Sequence, residues 1–486
     1  MTATSASSRH GALPAPQRVI PIAAEPQGAA TVSLYAASRK IYPRPVSGVF
    51  SRWRWALVFA TQLVFYGLPW LGWGQRQAVL FDLAARRFYL FGLVLYPQDL
   101  IYLSGLLVLS ALALFLFTAV AGRLWCGYAC PQTVYSEIFL WVEQKIEGSR
   151  AARMRLDGEA MSLEKGVKKV YKHIVWIGIA LWTGFSFVGY FTPIRELGLA
   201  FLQTRMGSWE VFWVFFYGFA TYGNAGFMRE QVCKYMCPYA RFQSAMFDRD
   251  TLIVSYDPGR GEPRAPRGRS VDARARGLGD CIDCGLCVQV CPTGIDIRQG
   301  LQYECIGCGQ CVDACRTVMQ KMDYPTGLIR YDTANGMAQG WRRAQLWRRV
   351  LRPRVLVYAG VLLLLSAGML ASLVVRTPLK VDVVRDRAAL ARIAEGGRLE
   401  NVYRLQIMNA SEQPQRYRLS AEGLDGIAVS PDTPVEVGPA ESRWVAVRLS
   451  IPYGSVAPGS HGVHITVAQE GGSAQVVEKA AFLVPR

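Results

Sequence analysis

Five stretches of this 486-residue chain are apolar over nearly the whole length that a bilayer crossing takes, about 20 residues. They lie at Trp55–Trp73, Leu100–Ala121, Ile174–Phe191, Val211–Phe227 and Val355–Val375, the fourth interrupted by Asn224 and several glycines. Basic residues crowd alternate flanks. Arg39, Lys40, Arg44, Arg52 and Arg54 precede the first stretch, and Arg150, Arg153, Arg155, Lys165, Lys168, Lys169 and Lys172 separate the second from the third. Arg260, Arg264, Arg267, Arg269, Arg274 and Arg276 follow the fourth, and Arg342, Arg343, Arg348, Arg349, Arg352 and Arg354 precede the fifth. Segments 74–99 and 192–210 carry fewer. Because Lys and Arg are retained on the inner side, the N-terminus is expected inside and the C-terminus outside.

Beyond the fifth stretch the period changes from helical to two. Val402-Tyr-Arg-Leu-Gln-Ile407, Trp444-Val-Ala-Val-Arg-Leu449 and Val463-His-Ile-Thr-Val467 alternate, with Gly and Pro clusters between them. This predicts a small antiparallel β-sandwich of Ig-like type over 380–486, best read as a docking module. Residues 1–50, rich in Ala, Pro, Ser and Gly with no early apolar core, are expected to form a disordered cytoplasmic tail rather than a signal peptide. Between these ends lie a membrane region at 51–250, a cysteine-rich cytoplasmic segment at 251–345 and a last span at 353–376.

Composition changes this picture little. A net charge of +18 could suit nucleic acid, but in a chain 51% hydrophobic it follows from the basic flanks, with some attraction to anionic lipid. No nucleic-acid partner is expected. The twelve cysteines say more. All fall between Cys126 and Cys315, and the last third has none, which points to ligation in a reducing compartment rather than to disulfides.

Eight of them spell one pattern twice. Cys281-x2-Cys284-x2-Cys287-x3-Cys291-Pro292 is followed by Cys305-x2-Cys308-x2-Cys311-x3-Cys315, the bacterial ferredoxin run. Three cysteines at two-residue gaps wrap one face of a cubane, and the fourth crosses to the other cluster. Cys281, Cys284, Cys287 and Cys315 are therefore expected to hold one [4Fe–4S] cluster, and Cys305, Cys308, Cys311 and Cys291 the second. Paired Cys-x2-Cys units also bind zinc, but the duplicated 2-2-3 spacing favours iron–sulfur. Arg316 stands where the second run would have its proline.

The other four cysteines form a second repeat at the edges of apolar stretches: Cys126-Gly-Tyr-Ala-Cys130-Pro131 and Cys233-Lys-Tyr-Met-Cys237-Pro238. Four apart on a helix, each pair would share a face, and two such pairs could converge on a pocket for Cu(I), zinc or an iron–sulfur cluster. Inert burial is the plainer alternative, but the repetition argues for a metal or redox role. Of the histidines His10, His173, His461 and His464, only His173 lies beside a span, so a bis-histidine haem is not available.

Taken with Arg39-Lys-Ile-Tyr-Pro-Arg44, Ser255-Tyr-Asp-Pro-Gly-Arg-Gly-Glu-Pro-Arg264, Cys291-Pro-Thr-Gly-Ile-Asp296 and Gly327-Leu-Ile-Arg-Tyr331, these motifs resemble cytochrome c oxidase accessory proteins of the FixG/RdxA/CcoG type over about residues 39–486. The resemblance implies a multi-pass protein of a bacterial inner membrane, with its clusters cytoplasmic and its β-domain periplasmic. It also implies assembly of a cbb-type oxidase through reduction of Cu(II) to Cu(I), with Cys126, Cys130, Cys233 and Cys237 binding copper. Expected partners are oxidase subunits or copper chaperones and transporter, together with an electron donor that the motifs do not identify. Two other functions fit the same motifs: a quinol-oxidising polyferredoxin serving another partner, and a non-enzymatic assembly scaffold. A transporter fits less well, since the spans lack a chain of intramembrane acidic residues.

Overall fold

A computed structural model describes residues 40–341, 343–386, 391–394 and 396–485. Most of the expected tail lies outside the described residues, but its last part departs from expectation. Residues 41–48 are extended and pinned: the Arg44 amide donates to Gln289 O at 2.8 Å, and Arg153 donates to Pro43 O at 2.6 Å. Helix α1 (Val49–Gly67) then starts at Gly48, which has no side chain to cap it. The cap comes from far along the chain, where the buried Asp313 carboxylate accepts the Ser51 amide at 2.8 Å. That bond ties the first helix to the cysteine-rich segment.

The helices that follow are α2 (Leu100–Ala121), α3 (Leu124–Tyr128), α4 (Pro131–Glu147), α5 (Arg150–Gly158), α6 (Leu163–Val188), α7 (Ile194–Leu202) and α8 (Ser208–Gly223). Among the described residues two helices are long and apolar enough to cross a membrane, Pro97–Ala121 and Pro353–Val375, and they pack side by side. In α2, Ser110 and Thr118 donate back to Leu106 O and Leu114 O, so these two hydroxyls are satisfied within the helix. Of the other expected spans, α1 carries Arg52 and Arg54, α8 is 16 residues long, and Leu163–Lys172 at the start of α6 carries Glu164 and four lysines. Helices α6 and α8 pack backbone to backbone: a Cβ on Gly184 would overlap Val214 O.

Part of the basic flanks is interior. Arg153 pairs with Glu143 and Lys172 with Glu147, all four buried, so these cations lock α4, α5 and α6 together.

The segment after α1 is not a plain loop. It forms a hairpin, β1 (Gly72–Trp73) and β2 (Arg76–Gln77), and a three-stranded sheet, β3 (Val79–Asp82), β4 (Arg87–Leu90) and β5 (Leu93–Leu95). Its inner face, Leu80, Tyr89, Val94 and Tyr96, packs on Met408, Ala410 and Ala440 of the terminal domain. Asp99, almost fully buried, is ion-paired to Arg376 just after the last apolar helix. Strands β6 (Ile253–Tyr256) and β7 (Ile329–Asp332) pair antiparallel and close the two ends of the cysteine-rich segment against each other.

The terminal domain fulfils the period-two reading. Strands β8 (Leu379–Arg385), β9 (Arg392–Ala394), β10 (Arg398–Asn409), β11 (Gln415–Glu422), β12 (Ala428–Ser430), β13 (Val435–Val437), β14 (Ser442–Pro452), β15 (Gly459–Gln469) and β16 (Gln475–Val484) form two antiparallel sheets. Their orders are β12-β14-β10-β8, with β9 beside β10, and β13-β11-β15-β16. Alternate residues meet in one core: Tyr403, Leu405 and Ile407 of β10, Val447 and Leu449 of β14, Val463, Ile465 and Val467 of β15.

Candidate iron–sulfur and thiol site

The eight ferredoxin cysteines fall into two groups around two voids. Cys281, Cys284, Cys287 and Cys315 line one, with Tyr256, Leu286 and Ile329. Cys291, Cys305, Cys308 and Cys311 line the other, with Val254, Thr293 and Ile306, and Cys287 stands on the wall of both. The fourth cysteine of each run thus lies with the first three of the other. Local backbone explains the shape: Gly285 and Gly309, at φ 65 and 71, each follow the second cysteine and open a helix that carries the third.

This chemistry suits an anionic cluster. Backbone amides of Gly307, Gln310 and Ile329 donate toward Cys305, Cys308 and Cys315. Burial pushes the Cys287 and Cys308 thiols up to about 11, so without metal they are neutral, and a bound cation is what makes thiolates here. The arrangement fits two iron–sulfur clusters. Cys284 is the only exposed cysteine of the twelve.

The motifs outside the cysteine runs brace this region. Arg330 of β7 pairs with Asp257 at 3.1 Å, joining segments 255–264 and 327–331, and Arg260 pairs with Asp280 at 2.6 Å, tying 255–264 to the start of the first cysteine run. Ile41 lies against Gly294.

The Cys-x3-Cys-Pro pairs take another form than the expected shared helix face. Cys126 sits in the short α3, but Cys130 is extended (φ −61, ψ 127) and caps α4, with Pro131 in its first turn. Cys233 lies in a π-helical turn, Val232–Met236, and Cys237 (φ −78, ψ 110) caps the helix Pro238–Met246. Proline excludes the helical conformation from the residue before it, so each motif breaks the helix between its cysteines. The second thiol then stands at a new helix N-terminus, where the Gln132 and Thr133 amides donate toward Cys130.

The two breaks meet. Cys126 is within electrostatic reach of Cys130 and Cys233, Cys130 of Cys237, and Cys233 of both Cys130 and Cys237. The Cys126 thiol donates to Gln243 Oε1 at 3.3 Å. Among the described residues no group of three or more His, Cys, Asp or Glu is gathered closely enough to hold one metal ion.

Two arginines that sequence reading treated as orientation signals or passed over belong here. Arg54, buried in α1 and paired with Glu137 at 3.0 Å, stands near Cys308. Arg123, 6% exposed, donates to Tyr303 O in the ferredoxin segment and to Ala240 O beyond the second Cys-Pro, and lies among Cys126, Cys305, Cys233 and Cys237. The signal for Arg123 was a charged residue between an apolar stretch and a cysteine motif.

Ferredoxin segment and thiol group touch at a glycine. A Cβ on Gly127, inside the first Cys-x3-Cys-Pro, would stand 2.8 Å from Ile306 O and 2.9 Å from Cys308 Cα. Only glycine allows that approach.

Of the histidines, His173 is bonded to Tyr222 Oη at 2.9 Å and stacks on Phe227, while His461 and His464 belong to β15; His10 lies outside the described residues.

Two cysteine quartets in a ferredoxin segment, joined to apolar helices and an Ig-like domain, define an iron–sulfur protein. Family models agree. Residues 228–334 match a 4Fe-4S dicluster domain, residues 103–148 a 4Fe-4S binding domain, and residues 369–485 the Ig-like fold at the C-terminus of FixG. The chain is 37% identical to the nitrogen fixation protein FixG of Rhizobium meliloti, over 93% of this chain and 94% of that one. It is 39% identical to protein RdxA of Cereibacter sphaeroides, over 87% and 91%, and 38% identical to protein RdxB of the same organism, over 82% and 85%. The chain belongs to the FixG/RdxA family.

Proposed function

We propose that this protein is a membrane-bound iron–sulfur oxidoreductase that reduces Cu(II) to Cu(I) for delivery to a cbb-type cytochrome c oxidase. Cys281, Cys284, Cys287 and Cys315 hold one [4Fe–4S] cluster, and Cys305, Cys308, Cys311 and Cys291 the other. When bound, the clusters supply one-electron transfer. Helices α1, α6 and α8 join the two long apolar helices as spans of a bacterial inner membrane, with residues 251–345 cytoplasmic and 380–486 periplasmic. Copper chaperones, a transporter or oxidase subunits are the protein's partners.

The observation that carries this reading is the contact of Gly127 with the Cys308 backbone. It joins the buried end of the ferredoxin segment to Cys126, Cys130, Cys233 and Cys237, a soft-ligand group of the kind that prefers Cu(I) to Cu(II). Arg123 holds the two parts in register, and Gly127 keeps side chains out of the gap. Exposed Cys284 offers the opposite end to an electron donor of low potential.

The test adds Cu(II) to anaerobic, chemically reduced protein, with a Cu(I)-specific chelator reporting product. The control replaces Cys126, Cys130, Cys233 and Cys237 with serine and keeps the ferredoxin clusters. Product should fall at least tenfold in the control. Equal product from both proteins would refute the reading, leaving unspecific reduction by the ferredoxin clusters.

A further inference from the structure

We propose that Tyr128 and Tyr331 are positioning residues that set the reduction potential of the second cluster, the one held by Cys291, Cys305, Cys308 and Cys311. The inference rests on the reading above only in taking those four cysteines as cluster ligands.

A hydrogen-bond chain runs from the first Cys-x3-Cys-Pro motif to the turn that carries Cys308. Tyr331 of β7 donates its hydroxyl to Gly307 O at 2.7 Å, and its oxygen lies 3.3 Å from Tyr128 Oη. A phenol has one hydrogen to give. That of Tyr331 goes to Gly307, so Tyr128 is the donor between the two rings, and its bond strengthens the one ahead of it. Tyr128 lies between Cys126 and Cys130 and is only 6% exposed. The two phenols stand 203 residues apart in sequence, so the packed fold alone brings them together.

The chain ends on ligand backbone. Gly307 follows Cys305 by two residues and precedes Cys308. Its carbonyl belongs to the peptide that leads into Cys308, while its amide donates toward the Cys305 sulfur. Tyr331 therefore holds the turn in the orientation that aims this amide at the ligand. The turn is gripped from both sides. A Cβ on Gly307 would stand 3.2 Å from the Arg123 carbonyl carbon, and one on Gly309 would stand 3.0 Å from Tyr331 Oη. The Phe50 ring backs the Tyr331 ring, with centroids 4.9 Å apart.

Amide hydrogen bonds to ligand sulfur favour the more negative, reduced cluster and so raise its potential. Without the Tyr331 hydroxyl, the Gly307 carbonyl loses its partner, the turn relaxes and the amide–sulfur bond weakens. Both phenols lie near Cys308, and Tyr331 lies near Cys311 as well. The effect falls on this cluster and not on the one held by Cys281, Cys284, Cys287 and Cys315.

The experiment is a redox titration of anaerobically purified full-length protein, followed by electron paramagnetic resonance, on the parent, Tyr331→Phe and Tyr128→Phe. Cys284→Ser, which changes one ligand of the first cluster, assigns the two signals. Tyr331→Phe keeps the ring against Phe50 and should move the second cluster to more negative potential while the first stays in place. Tyr128→Phe leaves Tyr331 on Gly307 and should give a smaller shift in the same direction. If Tyr331→Phe fails to hold its iron, Tyr128→Phe decides alone. Unmoved potentials would overturn the proposal, and so would equal shifts of both clusters, which would mean general loosening. A shift confined to the second cluster, without thiol-dependent copper reduction in the parent, would sink the proposed function and leave this inference standing. Thiol-dependent copper reduction with both potentials unmoved would do the reverse.

Discussion

The two cysteine-bearing regions are built on opposite plans. In the ferredoxin segment three cysteines of each quartet lie within seven residues, so spacing fixes the site and the rest of the fold closes around it through β6 and β7. In the thiol group the two cysteine pairs stand more than a hundred residues apart, on two chain breaks brought together where α4 packs on residues 224–231, Gln132 donating to Asn224 O and Arg229 O. The first is a local motif that needs a lid. The second exists only once the helices are packed. A local site should therefore survive damage to its neighbours, and an assembled one should not.

That contrast can be broken at several points. The largest effect is expected from Cys311→Ser, which removes one of the four cysteines lining the second void. Loss of about four irons and of most folded protein is expected, measured by iron analysis and size exclusion. Next is Arg54→Met, which leaves the part-buried Glu137 near Cys308 without its cation. Removing one partner of a buried pair costs about 3–5 kcal/mol. The thermal midpoint should drop clearly, and the double variant with Glu137→Leu should recover much of the loss.

pH should separate metal-free from loaded protein. Burial raises the Cys287 and Cys308 thiols in the folded chain to about 11, above the ordinary thiol value, so folding favours their neutral form. Metal-free protein should hold this stability below the ordinary thiol range and lose it as pH rises toward 11. Loaded protein, with thiolates already bound, should not follow that curve in a denaturant titration between pH 8 and pH 11. The smallest effect is expected from Arg269→Ala. Its ion pair with Asp323 is exposed at both ends, and its loss should leave thermal midpoint and iron content unchanged.

The same contrast explains what could be read from the chain. The double ferredoxin run, the two long apolar helices and the alternation of β10, β14 and β15 are local patterns, and each lies where its period put it. The shared helix face expected of Cys126 and Cys130 failed because the proline that drew attention to the motif also breaks the helix. Arg54 and Arg123 went unread because a basic residue near an apolar stretch looks the same whether it meets lipid or a buried carbonyl. The sheet β3–β5 went unread because its partners, Met408 and Ala440, lie more than three hundred residues away.

The most direct test of the central claim, that the ferredoxin segment is wired to the thiol group through Gly127, uses the Gly127→Leu variant. Stopped-flow absorbance would follow reoxidation of reduced parent and variant by Cu(II), with both shown beforehand to carry the same iron. A side chain here must push Ile306 and Cys308 away, so reoxidation should slow at least tenfold with iron content unchanged. Equal rates at equal iron would contradict the account, because electrons would then reach copper by a path that avoids the contact.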